Sequence, residues 1–243
     1  MNISQSFRVN LENVDFTYPN LQHRLKSLGN KYATSKNFGV TLKNISFSVY
    51  ENESVGLVGQ NGAGKTTLLR ILAGIYQPNS GKVDVTGSIT TMFDSGFGLD
   101  LEATAEKNIF IRGLLLGKSK SSIKKAIEDI KQFTDLGNKW GSPLRVFSTG
   151  MLSRVIVGLA TAYESEVLLV DEGIGTTDRS FQEKTNNRLT SLLSKSSTLV
   201  LASHNEELMK KFCTKAILIE NGRLLEFNTV EKIWTSYKKI IDN

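Results

Sequence analysis

Residues 56–69 read GLVGQNGAGKTTLL, an apolar strand that runs into a glycine-rich loop and then into a helix. The loop fits the pattern GxxxxGK[ST], in which glycines let successive backbone N–H groups curl around a polyphosphate. In that pattern the lysine neutralises the outer phosphate oxygens and the hydroxyl beside it binds magnesium. We therefore predict a nucleotide phosphate site formed by one continuous stretch of residues: Gly59, Gln60, Asn61, Gly62, Ala63, Gly64, Lys65, Thr66 and Thr67.

The composition is that of an ordinary globular protein. With 243 residues, 40% hydrophobic and 22% charged, the chain suits one large domain with a subdomain better than two independent units. No apolar run approaches the length of a membrane span, so a membrane role would come through a partner. The first residues lack the pattern of a secretory signal, and the lone Cys213 can form no internal disulfide, which indicates the cytosol.

The net charge of +6 permits nucleic acid or an acidic membrane surface as a neighbour without demanding either. The charge is uneven, because residues 19–43 contain basic side chains and no acidic one. This segment can lie near lipid phosphates, or it can be a solvated loop.

Short apolar strands alternate with helical stretches along the chain. The continuous run at 167–170 suits a central strand covered on both faces, whereas the alternating early strands suit a sheet with one wet side. The residues at 122–133 place their isoleucines on one helical face. We predict an α/β domain over 1–243, with a parallel core sheet, an antiparallel edge sheet, an inserted helical subdomain at about 99–160 and a C-terminal helix at about 229–243. The predicted strands are RVNLENVDFTY, LKNISFSVY, SVGLVG, KVDVTG, SITTMF, EVLLVDE, STLVLAS and KAILIE.

Two of these strands end in side chains that suit phosphate chemistry. Asp171, at the end of the run VLLVDE, can hold magnesium through water, and Glu172 can act as a general base on the water that attacks a γ-phosphate. His204 follows TLVLAS and can hydrogen bond that phosphate. The alternative interpretation of the acidic pair is a solvated strand end, and that of the single histidine is a structural role. The order of loop, acidic pair and histidine favours the functional interpretation.

Residues 147–151, FSTGM, form a second place to hold an anion. Ser148 and Gly150 stand just ahead of a predicted helix, where free backbone N–H groups and the positive end of the helix dipole point outward. The phosphate loop, FSTGM, VLLVDE, Asp178 and His204, in this order, resemble the nucleotide-binding ATPase subunit of an ATP-binding cassette (ABC) transporter over nearly the whole chain.

The resemblance implies a P-loop NTPase fold of the ABC type, with ATP and Mg²⁺ as its ligands. It also implies that Ser148, Thr149 and Gly150 cap the γ-phosphate held by the phosphate loop of a second copy. Two copies would then enclose ATP in a head-to-tail homodimer, with Asp178 among the nucleotide-binding residues.

The signature FSTGM is similar to the YSSGM form of bacterial exporters of O-antigen, capsule and teichoic acid. MFDSGFGLDLEATAEKNI at 92–109 resembles LELGAGFxPELTGxENI of that group, and DEGIGTTDRSFQEK resembles its DExxAVGDxxFxxK. This implies an ATPase subunit that powers export of a lipid-linked polysaccharide through a separate polytopic permease. It would lie at the cytoplasmic face of the bacterial inner membrane, with no nucleic acid partner. The ATPase of a drug, lipid or import system, or a soluble ABC ATPase outside transport, stays open as an alternative.

The sequence departs from the family at one position, and it indicates a second family residue only weakly. The family places a magnesium-binding glutamine after one strand, but none occurs between Gln77 and Gln132. Asp94 or Ser95 falls in its place, and the carboxylate of Asp94 can approach magnesium. The family also stacks an aromatic ring on adenine, for which Tyr18 is the best candidate, with a core tyrosine as the alternative.

Overall fold

The structure is a computed structural model, which describes residues 6–18, 41–93, 98–171, 179–193 and 198–241. The chain divides into two compact units, the first made of 1–87 with 198–243 and the second of 88–197. The strands of the described residues are β1 (Phe7–Phe16), β2 (Leu42–Tyr50), β3 (Ser54–Val58), β4 (Ser80–Val85), β5 (Ile89–Met92), β6 (Val167–Asp171), β7 (Thr198–Ala202), β8 (Lys215–Glu220) and β9 (Arg223–Thr229). Their helices are α1 (Lys65–Leu72), α2 (Ala105–Leu115), α3 (Lys120–Thr134), α4 (Thr149–Thr161), α5 (Arg179–Leu193), α6 (Glu206–Phe212) and α7 (Val230–Ile241).

An antiparallel sheet in the first unit has the strand order β2-β1-β4. Its central strand β1 pairs Leu11 with Phe47 of β2 on one side and with Val83 of β4 on the other. The apolar side chains of β1 from Val9 to Phe16 are buried and the polar side chains between them are more exposed, with register shifts where the strand bulges. The antiparallel edge sheet predicted from the alternating pattern is confirmed.

A second sheet in this unit runs in the order β7-β3-β8-β9. The central strand β3 is parallel to both β7 and β8, and every residue of β7 is buried. Continuous apolar runs of this kind suit strands that are covered on both faces. Because β3 and β7 are paired and parallel, their carboxyl ends lie side by side at one edge of the sheet. Parallel sheets bind their ligands at this edge.

The strand β9 was not predicted from the sequence. It pairs antiparallel with β8, and the turn between them is formed by Asn221 and Gly222, with φ of 48° and 75°. Asn-Gly is the commonest sequence for a two-residue hairpin with positive φ at both positions, so the signal was present at residues 221 and 222.

The second unit contains the parallel pair β5 and β6 and the helices α2 to α5. In α3 the side chains of Ile123, Ala126 and Ile130 are buried, so the amphipathic helix predicted at 122–133 is confirmed. Ile130 belongs to a hydrophobic core that also takes in residues of α2 and α4. Among the helices of the described residues, none is both long and apolar enough to cross a membrane.

Cys213 is buried next to the end of α6, and burial raises the pKa of its thiol to about 12. Since the thiolate is the reactive form, we expect the native thiol at pH 8 to react about a thousandfold more slowly than an ordinary thiol with a pKa near 9. The rate of reaction with a disulfide reagent, followed with and without denaturant, measures this difference. Equal rates in the two conditions would show that the thiol is accessible in the native protein.

Candidate functional site

The phosphate loop leaves the carboxyl end of β3 and enters α1 at Lys65. The Lys65 Nζ donates to the carbonyl oxygen of Gly59 at 2.6 Å and to that of Gln60 at 3.0 Å. These two bonds hold the ammonium group over the loop. A cation fixed in this place neutralises a phosphate that rests on the loop.

The backbone of the loop is confined on one side and open on the other. A Cβ on Gly59 would lie 2.2 Å from the carbonyl oxygen of Ile219, so only glycine fits there. The rim at Gln60, Asn61 and Gly62 is exposed. Gly64 occupies the N-cap position of α1 and has no side chain with which to cap the helix. The first turn is therefore suited to an anion that accepts from its N–H groups.

Tyr18 lies beside the first turn of α1. Its hydroxyl oxygen is 2.9 Å from Oγ1 of the buried Thr67. Its ring makes edge contacts with Phe16 and Tyr76, at centroid distances of 5.1 and 5.5 Å. Tyr76 was not predicted from the sequence, although an aromatic residue in the turn after the phosphate-loop helix was a visible signal. These contacts place the half-buried Tyr18 against the helix that follows the phosphate loop.

Two variants of Tyr18 separate those roles. If the ring stacks on the base, Tyr18→Phe is expected to keep ATP affinity within about threefold, whereas Tyr18→Ala loses about 1–3 kcal/mol, or about 5- to 150-fold. Fluorescent-nucleotide titration of both variants provides the measurement. Equal losses in the two variants would instead assign the effect to the hydrogen bond with Thr67.

His204 emerges from the same sheet edge as the phosphate loop. Leu57 of β3 pairs with Ala202 of β7, and the N–H of Ser203 donates to the carbonyl oxygen of Leu57 at 3.3 Å. His204 is exposed and is followed by Asn205, whose side chain caps α6. The structure thus brings together two of the predicted elements, the loop and the histidine, at neighbouring strand ends.

The acidic residues belong to the second unit. Asp171 is the last residue of β6 and is partly exposed. Met92 of β5 pairs in parallel with Val170 of β6, so these two strands end at the same edge. Three predicted residues lie outside the described residues: Asp94, Glu172 and Asp178. Within the described ranges, no group of three or more His, Cys, Asp or Glu side chains is arranged to hold a metal ion.

The signature turn lies at the N-terminus of α4. Ser148 is the N-cap residue, and its Oγ accepts from the N–H of Met151 at 3.3 Å. Both Ser148 and Thr149 are exposed, and an added Cβ on Gly150 would meet nothing closer than 4.0 Å. Farther along the helix, Arg154 donates to the carbonyl oxygen of Thr134 at 3.2 Å. The turn therefore presents an exposed helix N-terminus on a firmly packed helix.

Known proteins resemble this chain over most of its length. The family model described as ABC transporter matches residues 42–175. An O-antigen export system ATP-binding protein of Yersinia enterocolitica is 40% identical over 227 residues, which cover 88% of this chain and 95% of that protein. This chain belongs to the ABC transporter family. The ATPase predicted from the motifs is thereby confirmed, and ABC ATPases bind ATP.

A second relative of this ABC ATPase is a teichoic acids export ATP-binding protein of Bacillus anthracis. It is 32% identical over 238 residues, which cover 97% of this chain and 43% of that protein. Two solved structures share the fold. The ATP-binding subunit of an ABC transporter superposes with a TM-score of 0.77 at 19% identity, covering 96% of this chain and 94% of its own. A dimeric ATP-binding cassette in a post-hydrolysis state, bound to ADP and Pi, gives 0.74 at 21% identity, covering 91% and 98%. The predicted ABC ATPase fold is confirmed.

Proposed function

We propose that this ABC ATPase powers the export of a lipid-linked polysaccharide, of the O-antigen, capsule or teichoic acid class, through a separate polytopic permease. The proposal is carried by the 40% identity that extends over 95% of the Yersinia O-antigen export protein. The similar proteins from Klebsiella pneumoniae and Bacillus bear export names of the same kind. The protein then works at the cytoplasmic face of the bacterial inner membrane, attached through the permease.

The phosphate loop and its lysine hold the triphosphate of ATP in this proposal. The exposed rim and the uncapped first turn of α1 offer N–H donors, and Lys65 offers a positive charge. His204 leaves the neighbouring strand at the same edge and hydrogen bonds the γ-phosphate. Tyr18 provides the surface for adenine.

Magnesium fits the chemistry of the predicted ligands. The hydroxyl of Thr66 and the carboxylates of Asp171 and Asp94 are hard oxygen donors, which Mg²⁺ prefers. When bound, the ion neutralises negative charge on the phosphate oxygens and orients them. Glu172 takes a proton from the attacking water as its general base.

A second copy of the chain completes each site. The exposed N-terminus of α4, with Ser148 and Gly150, contacts the γ-phosphate bound by the partner copy. Asp178 is among the nucleotide-binding residues. ATP then joins the two copies, and its hydrolysis releases them, because the contact depends on the γ-phosphate. This cycle of closure and opening is what drives the permease.

Export in the native host tests the proposed function. Deletion of the gene is expected to remove surface polysaccharide and to leave lipid-linked chains inside the cell, and the wild-type gene restores export. Lys65→Ala is expected not to restore it, whereas the matched control Lys82→Ala, at a surface ion pair with Asp84, restores it fully. Surface and intracellular glycans are measured on gels. Normal surface polysaccharide in the deletion strain would contradict the proposal and favour another transported substrate.

A further inference from the structure

A row of alternating cations and aromatic rings connects three helices of the second unit. The guanidinium carbon of Arg154, on α4, lies 5.0 Å from the ring centroid of Phe181 on α5. That ring lies 4.9 Å from the ring of Phe133 on α3, and the guanidinium carbon of Arg188 lies 4.4 Å from the Phe133 centroid. Cations this close to a ring are attracted by its negative face. We call these four residues the cation–ring cluster, which holds α3, α4 and α5 together.

Arg154 also binds the end of α3. Its guanidinium donates to the carbonyl oxygen of Thr134, the last residue of that helix, at 3.2 Å. The last carbonyl groups of a helix lack partners within the helix and carry the negative end of its dipole, so a cation stabilises them. One turn away along each helix, a Cβ on Gly158 would lie 2.7 Å from Cγ2 of Ile130. Helices α3 and α4 are therefore in contact at two levels, and Arg154 provides the level nearer to the signature turn.

The two halves of α4 differ in how they are packed. The buried residues of this helix begin at Ser153, whereas Ser148 and Thr149 are exposed and 150–152 are half-buried. Arg154 follows Ser148 by six residues, which is about 9 Å along a helix axis, and helical side chains lean toward the N-terminus. The first turn of α4 therefore depends more on the directional contacts of Arg154 than the buried half of the helix does.

We propose that Arg154 and Phe181 are positioning residues, which hold the signature turn in the orientation that contacts the ATP of the other copy. The inference rests on the dimer of the proposed function, because the orientation of the turn matters only where it meets the partner's phosphate. Both residues act through Ser148. Helix α5 begins at Arg179, directly after Asp178, so the same contact joins the signature helix to the helix that follows this predicted nucleotide-binding residue. A site of this kind works only when its groups are held to within about 0.5 Å.

The shape of the guanidinium distinguishes positioning from a role of charge alone. A planar guanidinium can lie over the ring of Phe181 and donate to the carbonyl oxygen of Thr134 at the same time. An ammonium group is a compact point charge on a flexible stem and does not reproduce this pair of contacts. Arg154→Lys therefore keeps the positive charge and loses the geometry. We expect it to behave like Arg154→Gln rather than like the wild type.

Amide hydrogen exchange in the nucleotide-free protein tests the first step of this proposal. The N–H groups of Met151 and Leu152 donate to Oγ and to the carbonyl oxygen of Ser148, so their exchange reports on the signature turn. Arg154→Gln is expected to speed their exchange about tenfold and to leave the buried half of α4, at 157–161, unchanged. Lys125→Gln, at an exposed cation of α3, is the matched control and is expected to change neither. Wild-type exchange at both amides in Arg154→Gln would overturn the proposal.

ATP-driven dimerisation tests the second step. In the Glu172→Gln background, Arg154→Gln and Arg154→Lys are each expected to raise the dissociation constant of the ATP-bound dimer about tenfold, while the ATP affinity of the monomer stays within about twofold. Analytical ultracentrifugation and nucleotide titration provide these two measurements. A general loss of structure would lower both quantities together, so equal losses would overturn the positioning role. Dimers of Arg154→Lys at wild-type strength would assign the effect to charge and would also overturn it.

A double-variant cycle tests whether the contact between the two side chains carries the effect. Phe181 is buried, and Phe181→Leu removes the ring while it keeps an apolar side chain in its place. Phe181→Leu alone is expected to weaken the ATP-bound dimer about as much as Arg154→Gln does. In the double variant the second change is expected to add less than about twofold, because both act through one contact. Losses that multiply in full would show that the two residues act independently.

Failure of this inference can be told from failure of the proposed function. Unchanged dimerisation of the Arg154 variants overturns the positioning role even where export requires Lys65. Absence of ATP-driven dimers in Glu172→Gln itself contradicts the proposed dimer and, with it, this inference. Normal polysaccharide in the deletion strain contradicts the export function, while faster exchange at the turn together with weaker dimers supports the positioning role for whatever substrate is transported.

Discussion

Replacing Glu172 with glutamine is expected to lower steady-state ATP hydrolysis by about 10²- to 10⁴-fold, the usual contribution of a general base. A glutamine amide cannot accept the proton of the attacking water, so the bound ATP persists. Binding itself is expected to be retained, because the phosphate loop and Lys65 are unchanged. The uncleaved γ-phosphate then keeps the two copies together as a stable dimer.

Phosphate release and size-exclusion chromatography with ATP measure the two effects of this variant. Glu183→Gln is the matched control, since Glu183 is an exposed carboxylate of α5. The control is expected to hydrolyse ATP at the wild-type rate and to dimerise only transiently. Wild-type turnover by Glu172→Gln would remove Glu172 from its role as the base.

Replacing Ser148 with arginine is expected to prevent ATP-driven dimerisation while ATP binding to the monomer changes little. In the proposed dimer the exposed turn at Ser148 contacts the nucleotide of the other copy, so the variant's own nucleotide site stays intact. Hydrolysis is expected to fall to the level of the monomer. Nucleotide titration, paired with chromatography in the Glu172→Gln background, provides the measurement.

A second variant separates this contact from the stability of α4. Ser148→Arg removes the N-cap bond to Met151, which costs about 1 kcal/mol. Ser148→Asp keeps a capping oxygen but places a negative charge against the γ-phosphate, so it is expected to block dimerisation without lowering the thermal midpoint. Ser121→Arg, at an exposed position in the first turn of α3, is the charge control. ATP-driven dimers of Ser148→Asp at wild-type yield would argue against a contact between copies.

The parts of this molecule that sequence patterns encode locally were predictable. The phosphate loop follows β3 and opens α1 because glycines, lysine and threonine at fixed spacing specify that turn. Eight strands matched apolar runs, and α3 followed from isoleucines at helical spacing. The hairpin to β9 was missed although Asn221 and Gly222 marked it. Its strand shows no fully buried side chain, which weakens the pattern by which strands are recognised.

Contacts between residues far apart in the sequence were not predictable. Nothing near Tyr18 indicates that its hydroxyl meets Thr67, and nothing near Gly113 indicates that the Tyr163 hydroxyl lies beside it. Such pairs are set by tertiary packing rather than by local periodicity. The sequence at Ser148 indicates a helix N-terminus that can bind an anion. It does not indicate whether the same copy or a second copy of the chain holds that anion.

In the proposed mechanism, one copy holds the triphosphate of ATP in its phosphate loop and the other copy closes over it with the signature turn. A structure of the Glu172→Gln variant with ATP and Mg²⁺, determined by cryo-EM or crystallography, tests it most directly. We predict a head-to-tail dimer in which Ser148 Oγ of each copy lies within hydrogen-bond distance of the γ-phosphate held by residues 59–66 of the other. A dimer with bound ATP in which both Ser148 side chains face away from every phosphate would rule out this mechanism.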